Sequence, residues 1–133
     1  MSIDALKIAT ANRTALVVDD MPFVRRMLAW QLQHVGFARV VTAANGEEAL
    51  SLMQDEVPDV VFTDYNMPKM DGRTLIGKIR SSETCGKVPV VVVTTETLQE
   101  ADWDTLGFNG FLKKPYTNDV FVETLGRVIS HCA

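Results

Sequence analysis

An α/β domain, one mainly parallel sheet of five strands doubly wound by helices on its two faces, is the fold that this 133-residue sequence predicts. Short runs rich in Val and Phe alternate with amphipathic stretches, the pattern of successive βα units. The third and fourth runs are apolar almost end to end, as strands are when helices cover both faces. The length suits a single domain with one core, on a prior of roughly 100 to 200 residues per domain.

The first strand is Ala15 to Val18, and the helix after it starts near Pro22, a residue pre-set for a first helical turn, and stops at Gly36. Within it Val24, Leu28, Leu32 and Val35 recur at helical spacing and line one face for the core. Trp30 is expected to pack as well, and His34 and His131 are isolated residues near helix ends. Ala38 to Ala43 forms the second strand, followed by a helix over Gly46 to Gln54 with Ala49, Leu50 and Met53 inward. The third strand is Val60 to Thr63, and the helix behind it is capped by Asp71 and buries Leu75, Ile76 and Ile79. After the fourth strand, Val90 to Val93, an irregular helix is placed around Leu98 to Leu106, with Trp103 either core or a partner anchor. A turn through Gly107-Phe108-Asn109 leads into the fifth strand, Gly110 to Lys113. The last helix follows Thr117, its N-cap, carries Asp119 in its first turn and repeats Phe121, Leu125, Val128, Ile129 and Cys132. Residues 1–13 are predicted to be a loosely held tail and 14–133 the domain, with nothing left for an output module.

Composition narrows the function classes. Hydrophobic residues at 47% and charged residues at 23% describe a globular chain rather than a disordered or collagenous one. A net charge of −4 disfavours binding to a phosphate backbone as the main activity. Cys85 and Cys132 have neither the number of a disulfide scaffold nor the spacing of a zinc site, so both are expected to be reduced thiols. No apolar run approaches the length of a signal peptide core or a membrane span, and a cytoplasmic location is expected.

In an open α/β sheet, ligands bind at the carboxyl ends of the strands where the strand order reverses. The residues that follow the strands are Asp19 and Asp20, Asp64, Thr94 and Thr95, and Lys114 with Pro115. Three aspartates within a few ångströms resist joint ionisation unless a cation lies between them. Oxygen ligands without nearby His or Cys suit Mg²⁺, or Mn²⁺, rather than zinc. Carboxylates, a metal, a lysine and a hydroxyl together make an arrangement for phosphoryl transfer. Asp64, presented by a central strand, is the candidate nucleophile, with an aspartyl phosphate as product. Lys114 and Thr94 are the candidates to hold the phosphoryl oxygens.

Four stretches in order, Val17-Val18-Asp19-Asp20, Asp64 through Gly72, Pro89 to Thr94 and Lys114-Pro115, resemble the receiver domains of bacterial two-component response regulators. The resemblance runs from Thr14 to the C-terminus, and within the family it is nearest to the stand-alone chemotaxis regulators, through Arg25-Arg26, Gly36-Phe37 and Asn66-Met67-Pro68 to Met70-Asp71-Gly72. It implies a flavodoxin-like fold with strand order 2-1-3-4-5 and five helices, and a phosphorylation-dependent switch in which Asp64 accepts a phosphoryl group from a histidine kinase or phosphotransfer protein. It further implies that Asp20, Asp64 and the Asn66 backbone carbonyl ligate Mg²⁺ with Asp19 helping through water. Thr94 and Lys114 would bind the phosphoryl oxygens, and the Lys114-Pro115 bond would be cis. Thr94 and Phe111 would switch inward together and reshape the face formed by the irregular fourth helix, the fifth strand and the last helix, where a downstream protein binds. Neither nucleic acid binding nor membrane insertion is implied, and the unphosphorylated form is expected to be a monomer.

Phe111 stands where the chemotaxis relatives carry Tyr, the stretch from Thr94 to Lys114 is about two residues short of theirs, and Thr95 replaces a usual Ala or Gly. Asn66 and Glu96 flank the expected path of the hydrolytic water. A single-domain phosphorelay intermediate is an alternative with the same chemistry. A Mg²⁺-dependent phosphatase of the haloacid-dehalogenase type would need an acid two residues after the nucleophile, where this chain has Asn66, and flavin binding would need a phosphate loop where it has Asp19 and Asp20.

Overall fold

The computed structural model describes residues 2–99, 102 and 105–130. Its five strands are β1 (Thr14–Val18), β2 (Arg39–Ala43), β3 (Val60–Thr63), β4 (Val90–Thr94) and β5 (Gly110–Lys113), all parallel in the order β2-β1-β3-β4-β5. The helices are α1 (Ile3–Thr10), α2 (Pro22–His34), α3 (Gly46–Asp55), α4 (Gly72–Ser81) and α5 (Asn118–Ser130). Of the helix predicted around Leu98 to Leu106, Asp102, Thr105 and Leu106 are helical, while Trp103 lies outside the described residues, as do His131 and Cys132.

The period of two along each strand divides the core into two layers. Ala15, Val17, Val60, Phe62, Val91, Val93 and Leu112 pack on the side of α1, α2 and α5. Leu16, Val18, Val61, Val90 and Val92 pack on the side of α3 and α4, against Ala49, Met53, Leu75, Ile76 and Ile79. Every residue of β3 and β4 is buried, which is why their sequences lack the alternation of a half-exposed strand. The helix starts follow their caps: Asn45 accepts from the Glu48 N–H, Asp71 from the Thr74 N–H, and Thr117 from the Val120 N–H.

Two expectations are corrected. Residues 3–10 are a helix and not a loose tail. Ser2 caps α1, Leu6 is fully buried among the side chains between α2 and α5, and the Thr10 hydroxyl lies 2.8 Å from the Val35 carbonyl it donates to. Gly36, at φ +107°, closes the contact, because a Cβ there would stand 2.7 Å from Thr10 Oγ1 and 2.9 Å from Lys7 Cα. Trp30 is likewise not a core residue. Leu28 and Leu32 take the inward stripe of α2, so position 30, about 200° round the helix from Leu28, points outward, where its ring stacks on His34 at 4.5 Å.

Candidate functional site

The order β2-β1-β3 puts the reversal of the sheet between β1 and β3, so the chain leaves those two strands in diverging directions and opens a cleft at their carboxyl ends. Asp19 and Asp20 follow β1, and Asp64 follows β3. Backbone bonds from Asp19 N–H to the Ala43 carbonyl and from Asp64 N–H to the Val18 carbonyl continue the sheet one residue further and fix both positions. One carboxylate oxygen from each of Asp19, Asp20 and Asp64 lies within 4.8 Å of the others. They are graded in burial: Asp19 is buried, Asp64 half-buried and Asp20 exposed.

Lys114, just beyond β5, brings the positive charge. Its Nζ stands 3.4 Å from Asp19 Oδ2 and 3.8 Å from Asp64 Oδ2, between two carboxylates and tightly bonded to neither. The Lys114 N–H donates to the Thr94 carbonyl, which ties the end of β5 to the end of β4, and the Lys114-Pro115 peptide is cis as the resemblance implies. Neighbouring Lys113 is exposed and donates to Thr97 Oγ1 instead. Thr94 is almost fully buried, and its hydroxyl accepts from the Glu96 N–H at 3.3 Å. Phe111, on β5, is half-buried against the α3–α4 layer.

Asp64 is held above the ordinary carboxylate range. Burial is the largest cause and Asp19 adds to it, while the Lys114 ammonium and the Tyr65 and Asn66 N–H groups act the other way. A carboxylate in that position is stabilised by a further cation. The donor set is oxygen only, which matches the hard-ligand preference of Mg²⁺ and Mn²⁺.

The loop after β3 completes the rim. The Asn66 side chain donates to Glu96 Oε1 at 2.8 Å, joining the β3 and β4 loops across the mouth, and exposed Thr95 lies beside it. The structure also shows contributions that spacing alone did not reveal. Arg25 donates to the Asp19 backbone carbonyl at 2.7 Å, the Met21 N–H donates to the Asp19 carboxylate at 2.9 Å, and the Gly72 N–H donates to the Tyr65 carbonyl. Arg25 sits one turn into α2, within reach of the strand end, and that helical offset is the sequence signal that could have identified it.

The chain matches the response regulator receiver domain over residues 15–126. It is 33% identical over 123 residues to chemotaxis protein CheY-3 of Vibrio cholerae, covering 91% of this chain and 95% of that one. Among solved structures, Vibrio cholerae CheY4 superposes with a TM-score of 0.81 at 36% identity, covering 89% of this chain and 99% of that one. The receiver domain of sensor histidine kinase PA1611 from Pseudomonas aeruginosa, solved with a magnesium ion coordinated in its active site cleft, superposes at 0.80 with 27% identity, covering 90% and 99%. With a match over most of its length and relatives aligned nearly end to end, the chain belongs to the response regulator receiver domain family.

Proposed function

We propose that Asp64 is the phospho-acceptor of a two-component signalling switch of the chemotaxis type. The observation that carries this reading is the convergence of the Asp64 carboxylate with Asp19, Asp20 and Lys114 at the sheet's switch point. A histidine kinase or phosphotransfer protein presents a phosphohistidine. Asp64 Oδ attacks phosphorus, the P–N bond breaks with its electron pair passing to the imidazole, and an acyl phosphate is left on Asp64. Lys114 neutralises one phosphoryl oxygen and the Thr94 hydroxyl donates to another.

Asp20, Asp64 and the Asn66 carbonyl are the residues that would hold Mg²⁺, with Asp19 acting through water. Bound there, the ion offsets the charge gathered between the carboxylates and the phosphoryl oxygens. The same site returns the chain to its resting state by self-dephosphorylation, and Asn66 and Glu96, joined across the mouth, stand where they influence the approach of water.

Loading adds about one negative charge and several acceptor oxygens at the end of β3. Once the Thr94 hydroxyl turns toward that group it leaves the Glu96 N–H, and Phe111 moves into the space vacated. The resulting change reaches the surface along β5, α5 and the segment that follows β4, which is the face offered to a downstream protein. Among the described residues no helix is long and apolar enough to cross a membrane.

The phosphatase alternative is disfavoured by Asn66, whose side chain donates to Glu96 and, as a carboxamide, is too weak an acid to protonate a leaving group. Intact-mass measurement after incubation with Mg²⁺ and acetyl phosphate should show a transient gain of one phosphate. The gain should vanish on chelation of the metal and in Asp64→Asn; equal labelling of that variant would remove Asp64 from the role.

A further inference from the structure

Lys114 brings its charge to one point of the cleft, yet it stands in the loop between β5 and α5 rather than on an element. A lysine has a long flexible stem, so the backbone beneath it decides how far Nζ can wander. On the strand side that backbone is anchored by the Lys114 N–H, which donates to the Thr94 carbonyl at 2.8 Å. On the other side the anchor is Tyr116, whose hydroxyl donates to Gln31 Oε1 of α2 at 2.9 Å.

Tyr116 is well held for that purpose. Its ring stacks on fully buried Phe121 of α5, with centroids 5.9 Å apart and planes 17° from parallel, and packs on the core layer beneath α1, α2 and α5. Burial raises the phenol above its ordinary value of 10.0, so the hydroxyl keeps its proton and remains a donor through the neutral range. A phenylalanine would stack equally well. What the hydroxyl adds is a tether from the loop to α2.

Helix α2 also steadies the other side of the cleft, because Arg25 donates to the Asp19 carbonyl at 2.7 Å. Arg25 and Gln31 are six residues apart, about 9 Å along a rigid helix at 1.5 Å per residue. The backbones that carry Asp19 and Lys114 are thus both referenced to one element. Their charged groups meet in the cleft, with Lys114 Nζ 3.4 Å from Asp19 Oδ2 and 3.8 Å from Asp64 Oδ2.

We propose that Tyr116 and Gln31 are positioning residues for phosphoryl transfer, their hydrogen bond holding the loop so that the Lys114 ammonium stands where a phosphoryl oxygen arrives. The inference rests on the reading of Asp64 as phospho-acceptor. Both residues act through Lys114 and not on phosphorus. Without their bond the loop is held on its strand side alone, and a misplacement of about 1 Å is enough to cost up to about a hundredfold in rate.

The test uses the full chain, with Tyr116→Phe, Gln31→Leu and Gln31→Glu as separate variants and thermal melting to confirm that each folds. Loading by saturating acetyl phosphate with Mg²⁺ is followed by intact mass, and Mg²⁺ alone is titrated calorimetrically. Tyr116→Phe and Gln31→Leu should load about tenfold more slowly than wild type. Gln31→Glu, which keeps an acceptor for the phenol, should recover most of that rate. Mg²⁺ separates positioning from a general loosening of the cleft, since Lys114 is not among the residues that would hold the ion. A displaced ammonium takes a competing positive charge away from Asp64, so Tyr116→Phe should bind Mg²⁺ at least as tightly as wild type. Loading at the wild-type rate in either Tyr116→Phe or Gln31→Leu overturns the proposal, as does a Gln31→Glu variant as slow as Gln31→Leu. Slow loading accompanied by weakened Mg²⁺ binding overturns it too, because the bond would then support the whole cleft and not Lys114. A wild-type chain that acetyl phosphate does not load would instead remove the reading of Asp64 on which the inference stands.

Discussion

A Cβ added at Gly72 would sit 2.5 Å from the Asp64 carbonyl oxygen and 2.8 Å from the Tyr65 Cα, so the start of α4 touches the backbone of Asp64 itself. Neither neighbour is a flexible side chain that could swing away. Gly72→Ala is therefore expected to destabilise the fold by about 1–3 kcal/mol through overpacking. It should also slow loading from acetyl phosphate, since the displaced atoms belong to Asp64; paired urea titrations and loading rates would check both effects. At this scale the charged residues were legible and their supports were not. Asp19, Asp20, Asp64 and Lys114 stand just after strands and Thr94 ends one, positions that topology assigns to the cleft. Gly72 and Arg25 act on backbone atoms of other segments, which residue type does not mark, and for Arg25 the signal is its place one turn into α2. The pairing of Asn66 with Glu96 fell between the two: both residues were placed beside the water path, but their mutual hydrogen bond needed the fold.

The elements follow local rules closely enough that the strands were found to within a residue or two, because a strand buried on both faces between turn residues leaves few alternatives. Helix α4 shows how one side chain sets an element and makes it sensitive to pH. The Thr74 N–H donates to the Asp71 carboxylate at 2.8 Å, and that bond, ahead of the other causes, holds the group below the ordinary value of 3.8. Its contribution to stability is present above that ordinary value and is lost as pH falls through the lower folded-state value. Asp71→Ala should thus cost about 1 kcal/mol near neutral pH. The gap between wild type and variant should narrow below about pH 4, as denaturant midpoints at two pH values would show. The far end of α4 is pinned by Arg80, which donates to the carbonyls of Gly107, Gly86 and Val88 and to Asn109 Oδ1, where the chain runs into β4 and β5. Helix α1 was missed because it is short, with Leu6 and Thr10 its only buried residues and Ile3 and Ile8 exposed. So sparse a stripe gives almost no periodic signal, and its order comes from tertiary contacts.

Across the whole molecule, the parallel sheet works as a rigid partition with a core on each side and the chemistry at one end. Helix α1 belongs to one of those cores and not to a separable arm. Leu6 is fully buried among residues of α2 and α5, so Leu6→Ala is expected to cost about 2–5 kcal/mol. The loss should appear as a shift of a single cooperative denaturation transition; a separate low-stability phase with the main transition unmoved would show α1 to be an independent appendage. The fold was legible in outline because its two-sided burial is written in β3 and β4. The outward placement of Trp30 was not, because an aromatic residue on a helix reads the same whether it faces the core or the surface, and only the placement of Leu28 and Leu32 decides which.

Locating the modified residue decides whether the phosphoryl group resides on Asp64. After loading with acetyl phosphate and Mg²⁺, reduction with borohydride converts an aspartyl phosphate to homoserine, which peptide sequencing by mass spectrometry places in the chain. Homoserine is expected at position 64 alone, absent without donor or in the presence of chelator. Homoserine at position 19 or 20, or a loaded protein that yields none, would contradict it.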